Sequence, residues 1–329
     1  MRTAEDPRVR DYLATSRVPG LHGAEVAKLA GDASNRMYFR LRIGENETRI
    51  LALLPSPFDP DELPFLQVAG LFRLVPLRIP EIFEVKGDLG ILLLEDLGDN
   101  LLQDEVERCD CERKRALYLQ AVRMLAALQS RGRELESDKY LPFRIAFDAA
   151  KFFEELVFFR THFLEDLAGA EIGETERIEL DEDFHRLASE LASQPYALCH
   201  RDYHARNLIV GEELAVIDFQ DARMGPRCYD LVSLLNDSYV EHGEELAREM
   251  RRHFGSSTGA DVEAEYDLAA LQRNLKALGT FGYQIVSREN DVYRRYVGHS
   301  LALVRANLER NERWGRLRRN LARHLPELT

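Results

Sequence analysis

The sequence predicts an α+β chain of two lobes, a small β-rich N-terminal lobe over residues 1–95 and a larger, mostly helical lobe over residues 96–329. Three observations carry that expectation. At 329 residues the chain is too long for one small core. Period-two alternation of apolar and polar residues is concentrated near the N-terminus, and helical spacing dominates after it.

The elements follow in order. Residues 6–14 read as a short helix. Tyr38, Phe39, Arg40, Leu41, Arg42 and Ile43 alternate apolar with basic, residues 44–47 read as a turn, and residues 48–54 return as a second strand, making a hairpin. Residues 55–64 are proline-rich and acidic, hence a loop; Phe65, Val68, Ala69 and Phe72 then recur at helical spacing. Strands are expected over residues 79–84 and 89–94, and the glycine-bearing break Glu95, Asp96, Leu97, Gly98, Asp99 marks the end of the first lobe. Leu117, Ala121, Met124, Leu125 and Leu128 then form a one-sided helical stripe. Further helices are expected over residues 147–167, 183–193, 229–240, 243–254, 263–278 and 288–311. A β island interrupts them at residues 196–199, 208–210 and 215–217, each short apolar run ending in a charged loop. No repeat or low-complexity tract is visible.

Composition narrows the function. The net charge of −13 argues against non-specific nucleic-acid binding, which needs clustered Lys and Arg. The acids are densest around Glu171, Glu174, Glu176, Glu179, Asp181, Glu182 and Asp183, which read as a solvated helical face rather than as an attractor for a cation. Arg305, Arg310, Arg313, Arg316, Arg318, Arg319 and Arg323, interleaved with Glu309 and Glu312 around Trp314, read as a terminal amphipathic helix packed on the helical lobe. Cys109, Cys111, Cys199 and Cys228 are too few and scattered for a disulfide framework or a zinc site. With no signal-like or membrane-length apolar stretch, a cytoplasmic monomer is expected, with no membrane or nucleic-acid partner.

The chemistry concentrates in His200-Arg201-Asp202-Tyr203-His204-Ala205-Arg206-Asn207, followed by Ile217-Asp218-Phe219. Phosphoryl transfer needs one carboxylate to orient and help deprotonate a hydroxyl, and hard oxygen donors to hold magnesium against nucleotide phosphates. Asp202 suits the first task; Asn207 and Asp218 suit the second. His200 and His204, four apart, lack the glutamate of a zinc metalloprotease and lie on a loop, so zinc is set aside.

This pattern resembles the aminoglycoside phosphotransferase and choline kinase superfamily, itself similar in fold to protein kinases. The resemblance implies Asp202 as catalytic base, Asn207 and Asp218 as magnesium ligands, and His200 as a buttress of the loop. It implies a nucleotide phosphate loop at Gly31, Ala33, Ser34 and Asn35, where small residues let backbone amides approach phosphate oxygens. It also implies a hinge at Glu95 and Leu97 for the adenine edge, with Ile209 and Ile217 as apolar walls. The finer wording, through Gln220-Asp221-Ala222 and Gly225-Pro226 to Tyr229-Asp230-Leu231, most resembles bacterial kinases of cell-wall recycling that phosphorylate the anomeric hydroxyl of N-acetylmuramate and N-acetylglucosamine. Asp230 then either caps its helix or holds the catalytic loop.

One departure stands out: residues 50–54, Ile-Leu-Ala-Leu-Leu, lack the lysine that the superfamily places on this strand. The nucleotide charge is left to magnesium, the Gly31 loop or Arg36. The expected reaction is ATP-dependent and magnesium-dependent phosphorylation of a sugar, with His204, Arg206, Gln220 and Asp221 as acceptor contacts. An aminoglycoside or choline-type kinase and a silent nucleotide-binding module are the alternatives. A cationic acceptor would need carboxylates facing Asp202, whereas a sugar would need neutral or mixed groups.

Overall fold

The computed structural model describes residues 6–29, 36–44 and 47–329, in two compact units. The first joins the chain up to Asn100 to Ile209–Gln220, and the second holds Leu101–Leu208 and Asp221–Thr329. The smaller unit therefore draws on two stretches of sequence, which a single cut after Glu95 does not describe.

The smaller unit begins with α1 (Pro7–Thr15), β1 (Glu25–Lys28), β2 (Met37–Ile43), β3 (Glu47–Leu53), α2 (Pro64–Phe72), β4 (Ile82–Lys86) and β5 (Ile91–Glu95). Asp6 caps α1 by accepting the Arg8 N–H at 2.9 Å, and Pro7 follows at a position that needs no amide donor. The five strands form one antiparallel sheet in the order β1-β2-β3-β5-β4. Phe39 lies opposite Leu51, and Leu51 opposite Leu93. The alternation of β2 thus becomes a buried face, closed by Val9 and Tyr12 of α1. Each such side chain contributes about 1.5–3 kcal/mol on burial. The last two strands start later than the expected 79–84 and 89–94, because Pro80 withholds a ladder donor and Gly90 ends a tight turn at φ +71°.

The second unit opens with α3 (Leu102–Arg108), α4 (Cys111–Leu135), α5 (Leu141–Arg144), α6 (Ala149–Phe159) and α7 (Glu174–Ala192). It also holds β6 (Tyr196–Cys199) and β9 (Arg223–Pro226), whereas β7 (Leu208–Val210), from Ile209 on, and β8 (Leu214–Val216) belong to the smaller unit. β6 pairs antiparallel with β9, and β7 pairs with β8. In the smaller unit β8 is tied down where the Val216 N–H donates to the Arg78 carbonyl at 2.8 Å. The chain finishes with α8 (Tyr229–Leu235), α9 (Glu244–Thr258), α10 (Val262–Val286), α11 (Val297–Arg310) and α12 (Gly315–Ala322). Asp110, Asp148 and Asp261 cap α4, α6 and α10 through their side chains.

Helix α10 runs the length of the unit's core. It meets α6 and the wide π-helical turns of Arg160–Leu167 at Gly279 and Gly282, where a side chain on Gly282 would collide with the His162 carbonyl. Only glycine permits that approach. The helix read over residues 288–311 is split, with a tight turn at Asp291–Tyr296 before α11. Among the described residues no helix is long and apolar enough to cross a membrane, and all four cysteines are free thiols.

Candidate active site

The segment after β6 is held from below by a buried carboxylate. Asp230, fully buried at the start of α8, accepts the His200 N–H at 2.6 Å and the Arg201 N–H at 2.9 Å. Its side chain therefore braces the loop and does not cap its own helix. Burial pushes the Asp230 carboxyl up to about 7, against the pull of those two N–H donors. Asp237, also buried, accepts the Ala205 N–H and the Tyr239 N–H at 2.8 Å each. Tyr203 is fully buried and donates its hydroxyl to the Ala121 carbonyl of α4 at 2.9 Å. The His200 ring is buried edge-on to Tyr203.

On this frame Arg201 adopts φ +85° and pairs with Asp221 at 3.2 Å, with Glu155 farther off at 3.8 Å. A non-glycine residue costs about 1–3 kcal/mol in that region, so the surrounding bonds must outweigh strain to present the next residue. That residue is Asp202, with a side chain one-quarter exposed and a carboxylate 3.0 Å from Lys276 Nζ on α10. Burial opposes its charge, but the Lys276 ammonium and the Arg201 and Arg273 guanidiniums outweigh burial and hold the carboxyl far below the usual range. It is ionised at neutral pH. Burial, followed by Arg273, pushes the His204 imidazole down to about 3, so His204 is neutral. Asn207 donates its amide N–H to the Asp202 carbonyl at 2.9 Å, which leaves its Oδ1 as the atom able to face a cation.

In the smaller unit Asp218 is exposed at φ +61°, and the ring of the next residue anchors it. Phe219 is fully buried, stacked on Phe65 at 4.8 Å and tilted against Phe72 at 5.6 Å. Gln220 donates to Asp218 Oδ1 at 2.6 Å and so serves that carboxylate. Glu95 is engaged on both sides. Its N–H donates to the Glu81 carbonyl at 2.8 Å, and its carboxylate pairs with Arg78 at 2.5 Å. Leu97 lies in the segment whose Asp96 and Asp99 are both gripped by Arg40, at 2.6 Å each. Ile209 is buried on β7 and Ile217 is half-buried just after β8. Gly31, Ala33, Ser34 and Asn35 lie outside the described residues. The one cation of β3, Arg49, sits over the Phe83 ring at 4.0 Å and pairs with Glu47, so the strand offers no lysine equivalent.

Of the expected acceptor contacts, His204 and Arg206 converge on Tyr239, with ring centroids 5.3 Å apart and the guanidinium 4.8 Å above the ring. Asp221 instead pairs with Arg201 and Arg223.

A family profile described as "Phosphotransferase enzyme family" matches residues 25–268. The chain belongs to that family. An N-acetylmuramate/N-acetylglucosamine kinase of Pseudomonas aeruginosa is 32% identical over 292 residues, covering 84% of this chain and 80% of the relative. One of the same name from Neisseria meningitidis serogroup B is 30% identical over 292 residues, covering 84% and 83%. Solved structures share the fold of this phosphotransferase. The ADP-bound aminoglycoside phosphotransferase APH(2'')-Ib matches with a TM-score of 0.63 at 16% identity, covering 91% of this chain and 97% of that one. A choline/ethanolamine kinase family protein from Mesorhizobium loti matches with a TM-score of 0.60 at 17% identity, covering 97% of each.

Sequence reasoning missed three groups of this phosphotransferase's loop. Lys276 and Arg273 lie on a helix whose stripe reads as ordinary core, and no spacing links them to residue 202. Asp237 falls inside the helix expected over residues 229–240, where nothing in the sequence singles it out.

Proposed function

We propose that this phosphotransferase uses ATP to phosphorylate the anomeric hydroxyl of an N-acetylated amino sugar, N-acetylmuramate or N-acetylglucosamine, giving the sugar 1-phosphate. The observation that carries the acceptor class is the charge around Asp202. The side chains acting on its carboxylate are Lys276, Arg201, Arg273 and the neutral His204. Of the nearby acids, Asp230 and Asp237 are buried and bound to backbone amides, and Asp221 and Glu155 are paired with Arg201. A polycationic aminoglycoside or a choline headgroup would meet cations where it needs carboxylates, whereas a neutral or acidic sugar meets hydrogen-bond donors. The names of the relatives point the same way.

In this reading the acceptor oxygen attacks the γ-phosphorus and its proton passes to Asp202. The bond from phosphorus to the bridging oxygen breaks, with its electron pair leaving on ADP. A carboxylate of depressed pKa is a weak base, so its work is to orient the hydroxyl and take the proton late, which suits an anomeric hydroxyl, more acidic than an ordinary alcohol. Asn207 through Oδ1 and Asp218 are assigned to magnesium, a hard cation that takes few protein ligands. Magnesium, when bound, would neutralise charge on the phosphates. Glu95, Leu97, Ile209, Ile217 and the Gly31 loop are assigned to the nucleotide, and His204 and Arg206 to the acceptor. Phosphorus NMR of the product made from ATP and each sugar tests the reading. A sugar 1-phosphate is expected, and the 1-O-methyl glycoside, which lacks the nucleophile, stays inert. An equally reactive glycoside, or turnover of aminoglycosides or choline alone, would contradict it.

A further inference from the structure

We propose that Lys276 is a positioning residue of the transfer, its ammonium holding the Asp202 carboxylate toward the acceptor hydroxyl. This rests on the kinase reading above. Lys276 Nζ binds Asp202 Oδ1 at 3.0 Å, with side chains 18% and 25% exposed, so the pair is largely shielded yet open on one side. A charge-assisted bond to one oxygen fixes the carboxylate rotamer and leaves Oδ2 for the incoming proton.

The other two cations that act on Asp202 are committed elsewhere. Arg273 donates its Nε–H to the Ser233 hydroxyl, and Arg201 pairs with Asp221 and Glu155. Lys276 is also delivered by a rigid element. Gly279 and Gly282 seat α10 against the end of α6 and the segment after it, and Asn274, two residues before Lys276, donates to the Asn236 carbonyl at 3.0 Å. A cation fixed by a helix can aim a loop carboxylate, whereas a cation on a loop would move with it.

In the transfer the acceptor oxygen forms its bond to the γ-phosphorus, its proton goes to Asp202 Oδ2, and the leaving oxygen of ADP takes the electron pair. As that proton neutralises the carboxylate, the Lys276 ammonium loses its anionic partner and is released to the charge of the transferred phosphoryl group.

The test is steady-state kinetics of wild type, Lys276→Met and Lys276→Arg with ATP and both N-acetylated sugars. Lys276→Met is expected to lower kcat at least roughly 10²-fold with KM for ATP unchanged to within about twofold, and Lys276→Arg to stay within about tenfold of wild type. Retained kcat in Lys276→Met, a loss confined to KM, or an arginine variant no better than methionine would overturn the inference. A wild type inert with both sugars would instead overturn the kinase reading, and this inference with it.

Discussion

Carboxylates meet cations in two contrasting places on the larger unit. Along α7, Glu182 and Asp183 pair with Arg316 at 2.8 Å each, Glu190 with Arg313 at 3.0 Å, and Glu176 with Arg323 at 3.4 Å. These pairs fasten the C-terminal segment to the helix, and most of their members are open to water. Around the catalytic loop the acids are fewer and differently employed. Asp230 and Asp237 accept backbone amides from inside the core, and Asp202 is held part-exposed on the Lys276 ammonium. The residue types are the same in both regions. What separates a fastening from a site is that interior carboxylates hold backbone in place, so that one residue can be offered in a strained conformation, whereas surface pairs gain little from each contact.

The comparison can be broken from its buried side first. Asp230→Ala leaves two buried amide donors unpaired and should cost roughly 3 kcal/mol or more of stability. Thermal unfolding reads that loss, and turnover should fall with it because the Arg201 conformation loses its support. Asp237 gives a smaller, pH-dependent effect. Burial pushes its carboxyl up to about 6, against the pull of the Ala205 and Tyr239 amides. Its folded pKa thus lies above the ordinary carboxylate value of about 4, and between the two the folded chain holds a proton that the unfolded chain has released. Stability from this group is full below about pH 4 and is lost as pH rises through about 6, a span of roughly 2–3 kcal/mol. Chemical unfolding from pH 4 to 7 should show that slope added to the larger one of the same sign from Asp230, and Asp237→Asn should reduce the total by the Asp237 share. On α7 the effect should be smallest. Glu182→Gln removes the exposed half of the Arg316 pairing and should change stability by no more than about 0.5 kcal/mol, fading as salt is added.

The two regions also differed in how far they could be read from sequence. The loop was legible because Asp202 and Asn207 are close in the chain and their spacing has a chemical reason. The acidic stretch and the arginine-rich end were legible as solvated, amphipathic surface, though not that one fastens the other, since Asp183 and Arg316 lie 133 residues apart. Lys276 lies 74 residues beyond Asp202 on a helix whose pattern shows only core, and only packing brings the two together. Strand β9, Arg-Met-Gly-Pro, has no alternation to betray it; it exists because β6 offers a partner edge. The β2–β3 hairpin was plain because each buried side chain recurs at period two, whereas the later strands slid to positions set by Pro80 and Gly90.

The central claim is that Asp202, held ionised on its braced loop, carries the transfer. The most direct measurement is turnover of Asp202→Asn beside its affinity for ATP by calorimetry. Turnover should fall at least roughly 10²-fold with nucleotide affinity and folding largely unchanged, since the substitution removes the proton acceptor but keeps the shape. Turnover close to wild type would contradict the claim and remove Asp202 from the mechanism.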